Sequence, residues 1–128
     1  MPRTLVPSSL FAPIGPYSHA VTAHGHVYIS GTPGVDPGTG QLAGQDAYSQ
    51  THQILKNFQS MLAAAGASLN DLVHVQVNLV DVADFAEMNR AYAECLAEPY
   101  PARTVIGVGA LPKPGARLTM NAMAVLEK

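Results

Sequence analysis

The chain has no tryptophan, a single cysteine and few charges. Cys95 alone cannot form an intrachain disulfide, and the first ten residues lack the long apolar stretch of a secretory signal, so a cytosolic compartment is expected. Charged residues make up 12% of the chain, against the ~25% usual for soluble domains. The formal charge is −2 and the Lys and Arg residues are scattered singly, which argues against the basic stripe of a nucleic-acid-binding protein. No apolar run approaches the ~20 residues of a membrane-spanning helix, so no membrane association is expected. No P-loop and no G-x-G-x-x-G fingerprint follows a strand, and the five histidines lack the spaced partners of a zinc site. Neither a cofactor nor a metal is expected.

The shortage of charge also leaves little to coat a monomer's surface, a hint of buried subunit interfaces. What the chain does have is length for one domain, residues 1–128, with 48% apolar residues to build a core.

Tyr17 to Ala23 and Val27 to Thr32 read as two strands turned at His24-Gly25-His26. The Pro- and Gly-rich stretch Thr32 to Gly44 reads as a loop with room for one short β excursion. Asp46 offers an N-cap. Ile54, Leu55, Phe58, Met61, Leu62 and Ala65 then form one apolar helical stripe, which Gly66 ends.

Val73, Val75, Val77 and Leu79 alternate with His74, Gln76 and Asn78, the pattern of a strand with one core face. Asp81 or Asp84 can cap a second helix whose core face is Phe85, Met88, Tyr92 and Leu96, stopped by Pro99 and Pro101. Strands at Thr104 to Ala110 and Arg117 to Leu126 follow. The order is ββαβαββ, which predicts an α+β fold with one mixed sheet and both helices packed on one face. The other face would carry His74, Gln76, Asn78, Thr119 and Asn121, and packing it against copies of the same chain covers it most simply.

Among chemistry-bearing residues, Arg103 stands directly before a strand in Pro101-Ala102-Arg103. Its planar fork of donors suits bidentate capture of a carboxylate; the competing role is one half of a surface ion pair. Tyr17, after Gly15-Pro16, brings a phenol to a ligand or simply packs. Ser30-Gly31 closes a strand, where glycine lets a ligand approach the backbone, unless it is only a bulge. A Ser30, His19 and Asp36 assembly can be drawn, but it lacks a nucleophile elbow.

Several stretches, taken in order and spacing, resemble the RidA/YjgF proteins over about residues 12 to 126. They are Ala12-Pro13-Ile14-Gly15-Pro16-Tyr17-Ser18, Ile29-Ser30-Gly31, Gln50-Thr51 with Asn57, Asp81 through Phe85 to Asn89 and Tyr92, Pro101-Ala102-Arg103, and Leu111-Pro112-Lys113. The resemblance implies a chorismate-mutase-like fold assembled as a homotrimer with three intersubunit pockets. It also implies hydrolysis of reactive imines and enamines, such as 2-aminoacrylate and 2-imino acids, to 2-oxo acids and ammonia. By the same resemblance Arg103 grips the substrate carboxylate, Tyr17, Ser30 and Gly31 line the pocket, and Asn89 lies near it.

Two positions depart from that pattern. Asn121 stands where deaminases of the family carry a glutamate that orients the attacking water, and Val105 stands where many have a cysteine. An amide holds a water but cannot take its proton at neutral pH, and general-base help is worth about 10²–10⁴-fold. The alternative expectation is therefore a protein that binds a small carboxylate such as a 2-oxo acid without efficient turnover. The family has also been linked to RNA cleavage in translation inhibition and to chaperone-like action; the charge balance gives the first no support, and Asn121 favours neither.

Overall fold

A two-residue turn with both residues in the left-handed region, His24 at φ 51° and Gly25 at φ 78°, joins the first long hairpin. That turn's twist matches the twist of the strands it connects. The computed structural model describes residues 4–5, 10, 13 and 15–126. In chain order the strands are β1 (Thr4–Leu5), β2 (Ala20–Ala23), β3 (His26–Pro33), β4 (Val35–Asp36), β5 (Gln41–Leu42), β6 (Leu72–Leu79), β7 (Ala102–Gly107) and β8 (Leu118–Val125). The helices are α1 (Ala47–Ala64) and α2 (Phe85–Cys95).

Six strands form one sheet in the order β1-β2-β3-β8-β6-β7, and β4 and β5 pair separately. Only β6 and β7 run parallel, with α2 carrying the chain between them. The fold is α+β, as expected, with β1 added at the sheet margin and the β excursion in the long loop built as the β4–β5 hairpin. Of the stretches that carry the family resemblance, Ala12 and Ile14 lie outside the described residues.

Helix α1 starts where Asp46 accepts the Ser49 amide at 2.9 Å, and its end is followed by Gly66 at φ 80°. Ile54, Leu55, Phe58, Met61 and Leu62 are buried, each contributing roughly 1.5–3 kcal/mol of transfer free energy. They meet Val27 and Ile29 of β3, Val75, Val77 and Leu79 of β6, Leu118 and Met120 of β8, and Met88 and Tyr92 of α2 in one core. No helix among the described residues is long and apolar enough to cross a membrane.

The expected alternation of β6 fails at its start. Leu72 pairs Ala124 and His74 pairs Met123, so two steps on β6 match one on β8 and Val73 is the extra residue of a bulge. Val73 is therefore 41% exposed and Leu72 takes the core position. Phe85 also leaves the expected core face of α2: at the first position of the helix it is 42% exposed, while Met88, one turn on, is buried. Asp84 takes the N-cap position of α2 but makes no side-chain cap bond, pairing instead with Arg117 at 2.8 Å, while Asp81 caps the short turn Val82–Asp84 ahead of the helix, accepting the Ala83 amide at 2.9 Å. β2 runs from Ala20 to Ala23 instead of Tyr17 to Ala23, and β7 runs from Ala102 to Gly107 instead of Thr104 to Ala110.

Candidate functional site

Residues in register across a sheet share a face. Val75, Arg103 and Ala122 form one such row, and Val75 is buried under the helices. Arg103 therefore lies inside edge strand β7, not before it, and points to the helix side. There its Nη1 donates to Asn89 Oδ1 at 2.9 Å. Its guanidinium stands 4.7 Å from the Tyr92 ring centre and 5.7 Å from that of Phe85.

Phe85, Asn89 and Tyr92 recur at i, i+4 and i+7, so one face of α2 forms the shelf on which the guanidinium rests. No carboxylate among the described residues lies within ion-pair distance of Arg103. Its charge is held by an amide and two rings, which leaves the rest of its donor fork for an anion. The cleft, about 340 Å³, is lined by Asn89, Tyr92, Ala93, Tyr100, Pro101 and Arg103. Burial pushes the Tyr92 phenol up from its ordinary value and Arg103 pulls it back. Its buried hydroxyl has no hydrogen-bond partner among the described residues. Val105, two residues along β7, packs against the core beside this cleft.

Tyr17, Ser30 and Gly31 line a different cavity of about 620 Å³, together with Pro33, Leu111 and Lys113. The chain makes room for it with a bulge: Ile29 pairs Ala122 and Thr32 pairs Met120, so Ser30-Gly31 hold one residue more than the partner strand. Ser30-Gly31 is thus both a bulge and a cavity wall, in a strand that runs on to Pro33. Ser30 Oγ donates to the Ser18 carbonyl at 2.7 Å, not to His19, and Asp36 caps Gly38 in the β4–β5 hairpin; the three-residue nucleophilic assembly is not formed. A Cβ added at Gly31 would meet nothing within 4 Å, so the space beyond it is open. Tyr17 packs edge-on to the His19 ring at 6.1 Å.

Asn121 belongs to the row Gln76, Thr104, Asn121, on the face opposite Arg103. Its Oδ1 accepts from Asn78 Nδ2 at 3.3 Å, and Gln76 Nε2 donates to Asn78 Oδ1 at 2.9 Å. Within one chain the expected site residues thus fall into separate groups. Arg103, Asn89 and Val105 stand at one edge, Tyr17, Ser30 and Gly31 three strands away, roughly 14 Å at ~4.8 Å per strand, and Asn121 between them on the open face.

The buried polar residues of α1 went unread as functional supports. Gln50 Nε2 donates to the Gly44 and Gly115 carbonyls and its Oε1 accepts from Arg117 N at 2.8 Å. Asn57 Nδ2 donates to the Val35 carbonyl at 2.9 Å. Together they tie down the loops that wall the larger cavity. Their signal was available: both fall on the apolar stripe of α1, where a polar residue has to be hydrogen-bonded.

The sequence model of the family described as Endoribonuclease L-PSP matches residues 8–126. A RutC family protein of Pyrococcus horikoshii is 48% identical over 101 residues, 79% of this chain and 80% of that one. A human protein named 2-iminobutanoate/2-iminopropanoate deaminase is 40% identical over 112 residues, 88% of this chain and 81% of that one. The crystal structure of Escherichia coli TdcF with bound serine superposes with a TM-score of 0.88 at 32% identity, covering 97% of this chain and 99% of that one. Fold and clefts define an α+β protein whose sheet presents an arginine at one edge and a glycine-walled cavity near the other. The chain belongs to the Endoribonuclease L-PSP family, the RidA/YjgF proteins.

Proposed function

We propose that the chain hydrolyses small 2-imino acids and their enamine tautomers to 2-oxo acids and ammonia, in a ring of three copies that share each site between neighbours. The observation that carries this reading is Arg103, whose guanidinium is seated on Asn89, Tyr92 and Phe85 and has no carboxylate of its own. The names of relatives at about 40% identity support the reaction class, and the serine bound to TdcF supports a ligand of this size with a carboxylate.

A shared site answers the separation of the residues. The β7 edge carrying Arg103 and the cavity of Tyr17, Ser30 and Gly31 are different patches, so joining them between copies is a head-to-tail contact that a rotation closes into a ring. The open face with Asn121, Gln76 and Asn78 then turns inward. The lone cysteine suits a reducing compartment, and the cytosol is the location proposed.

In the reaction Arg103 holds the carboxylate bidentately and thereby orients the imine carbon. A water oxygen adds to that carbon, the nitrogen takes protons and leaves as ammonia, and the carbonyl of the 2-oxo acid forms. Asn121 acts as a holder of the water and not as its base, because an amide does not take up a proton at neutral pH. The protonated imine is electrophilic enough that orientation alone supplies a modest rate.

The test is the rate of 2-oxo acid formation from 2-iminopropionate and bulkier imino acids generated in situ by an amino-acid oxidase. Activity above background that Arg103→Ala lowers by about 10²-fold or more supports the deaminase, as the loss of a charged anchor predicts. A rate untouched by Arg103→Ala overturns it. The second reading, carboxylate binding without turnover, is favoured by one observation, the amide at position 121 already bonded to Asn78. It predicts no turnover in the wild type, tight 2-oxo acid binding, and turnover gained in Asn121→Glu.

A further inference from the structure

On the outer surface of the helix layer, α1 and α2 bring together Tyr48, His52, Arg90, Glu94 and Cys95. Cys95 Sγ lies 3.3 Å from His52 Nδ1, and His52 Nε2 lies 2.8 Å from Glu94 Oε1. One tautomer satisfies both contacts: the proton sits on Nε2 and is donated to Glu94, while Nδ1 accepts from the thiol. Tyr48 Oη donates to the same Glu94 oxygen, its ring meets the His52 ring edge-on at 4.9 Å, and the Arg90 guanidinium stands 3.9 Å from the Tyr48 ring centre. The imidazole is thus held in orientation and tautomer by groups on both helices. This is the order nucleophile, base, orienting carboxylate that nucleophilic catalysis requires.

Cys95 also lines a cavity of about 240 Å³ with Gln59, Ser68, Asn70, Leu96 and Pro101 among its walls. That is space for a ligand several times the ~30 Å³ of a water. No residue on its wall carries a charge, and Glu94 beside the thiol repels anions. A metal is not the occupant these side chains suit: the His52 nitrogens diverge, and no group of three or more His, Cys, Asp or Glu among the described residues is placed to hold one.

We propose that Cys95, His52 and Glu94 form a second reactive centre, at which the thiol adds to a small uncharged electrophile of the α,β-unsaturated carbonyl class held in this cavity. As sulfur bonds to the β-carbon, the thiol proton passes to His52 Nδ1, and the alkene electron pair moves to give an enolate. The imidazolium, stabilised by Glu94, then returns that proton to the α-carbon. The product is a thioether, with no leaving group and no oxidant. The amides of Gln59 and Asn70 on the cavity wall are the donors available to the electrophile's carbonyl.

Burial, and secondarily Glu94, push the Cys95 thiol up from its ordinary value, so the resting group is a neutral thiol and its reactivity depends on the base beside it. The titratable and charged groups in the contact cluster are Tyr48 and His52 from α1 and Arg90 and Glu94 from α2, and Lys56, one turn on from His52 along α1, is the next charge on that helix face. Asp71, in the turn behind the cavity, is held in its own cap by the Ser68 amide at 2.9 Å.

The experiment is the rate of acrylamide addition to the intact protein across about pH 5.5–9.5, followed by mass; Cys95 is the only cysteine, so each adduct reports one site. The expected profile has a limb already present near neutral pH, well below the alkaline range in which a free thiol ionises. His52→Gln removes it, with about a tenfold or greater loss near neutral pH, and leaves reactivity only in the alkaline range. Glu94→Gln, which keeps thiol and imidazole, lowers the same limb severalfold. Circular dichroism verifies that each variant is folded. A wild-type profile that rises only in the alkaline range overturns the proposal whether or not a variant folds. So does a neutral limb that survives Glu94→Gln and His52→Gln.

Discussion

The two faces of the sheet differ in how much of their work one chain can do. On the helix side, Val75, Val77, Leu79, Leu118 and Met120 are buried by α1 and α2, and these apolar groups find their partners within the chain. On the open side, Gln76, Asn78, Thr119 and Asn121 bond to one another, while Tyr28 and Ile106 remain 48% and 42% exposed. The helix face stores the stability of the fold. The open face has polar groups already paired and apolar groups still uncovered, the composition expected of the surface that the proposed ring would pack against another copy.

Breaking the closed face should have the largest effect. Phe58→Ala removes a fully buried ring and is expected to lower the unfolding free energy by about 3–5 kcal/mol, read from urea titration; a loss below about 1 kcal/mol would mean that α1 is not anchored through this ring. On the open face, Ile106→Glu should leave the stability of a single copy within about 0.5 kcal/mol while weakening assembly by about 10²-fold, visible as a fall in mass by sedimentation. An unchanged mass would place the contact between copies elsewhere.

A smaller effect is expected at the end of α1. The Ser49 backbone amide, then its hydroxyl, hold the Asp46 carboxyl below its ordinary value of 3.8. A depressed carboxyl contributes stability that is fully present above the unfolded value and disappears as the pH falls through the folded one. Asp46→Ala should therefore cost about 1 kcal/mol near neutral pH, with the gap to wild type closing in acid; a gap that persists there would assign it to packing. Smallest in stability is Gly31→Ala, since its Cβ meets nothing within 4 Å: melting should not change, and KM for the imino acid should rise about tenfold as the methyl enters ligand space. A melting change with KM unaltered would show that the glycine serves the bulge and not the ligand.

Much of this architecture was legible from periodicity. The stripe from Ile54 to Leu62, the caps at Asp46 and Gly66, and the hairpin at His24-Gly25 all rest on contacts a few residues apart, where spacing decides direction. The misreadings have a common cause. Val73 follows the alternating pattern of its strand but is displaced by a bulge set by the partner strand β8. Phe85 follows the helical pattern but, at the first position of α2, stays 42% exposed beside the Arg103 guanidinium. The Ser30-Gly31 bulge likewise depends on β8 and not on the residues beside it.

The candidate site divides in the same way. Its residue types were readable, because a guanidinium fork, a phenol and a glycine carry their chemistry wherever they stand. Their arrangement was not, since the strand order β3-β8-β6-β7 is what separates Ser30 from Arg103, and the pleat is what turns Arg103 and Asn121 to opposite faces. The sequence by itself determined the elements, their apolar faces and the chemistry on offer, because those follow from local geometry. Which strand lies beside which, where the pairing slips by one residue, and that Cys95, His52 and Glu94 meet were decided only by tertiary structure, because contacts between residues 40 or more positions apart arise from packing whole elements together.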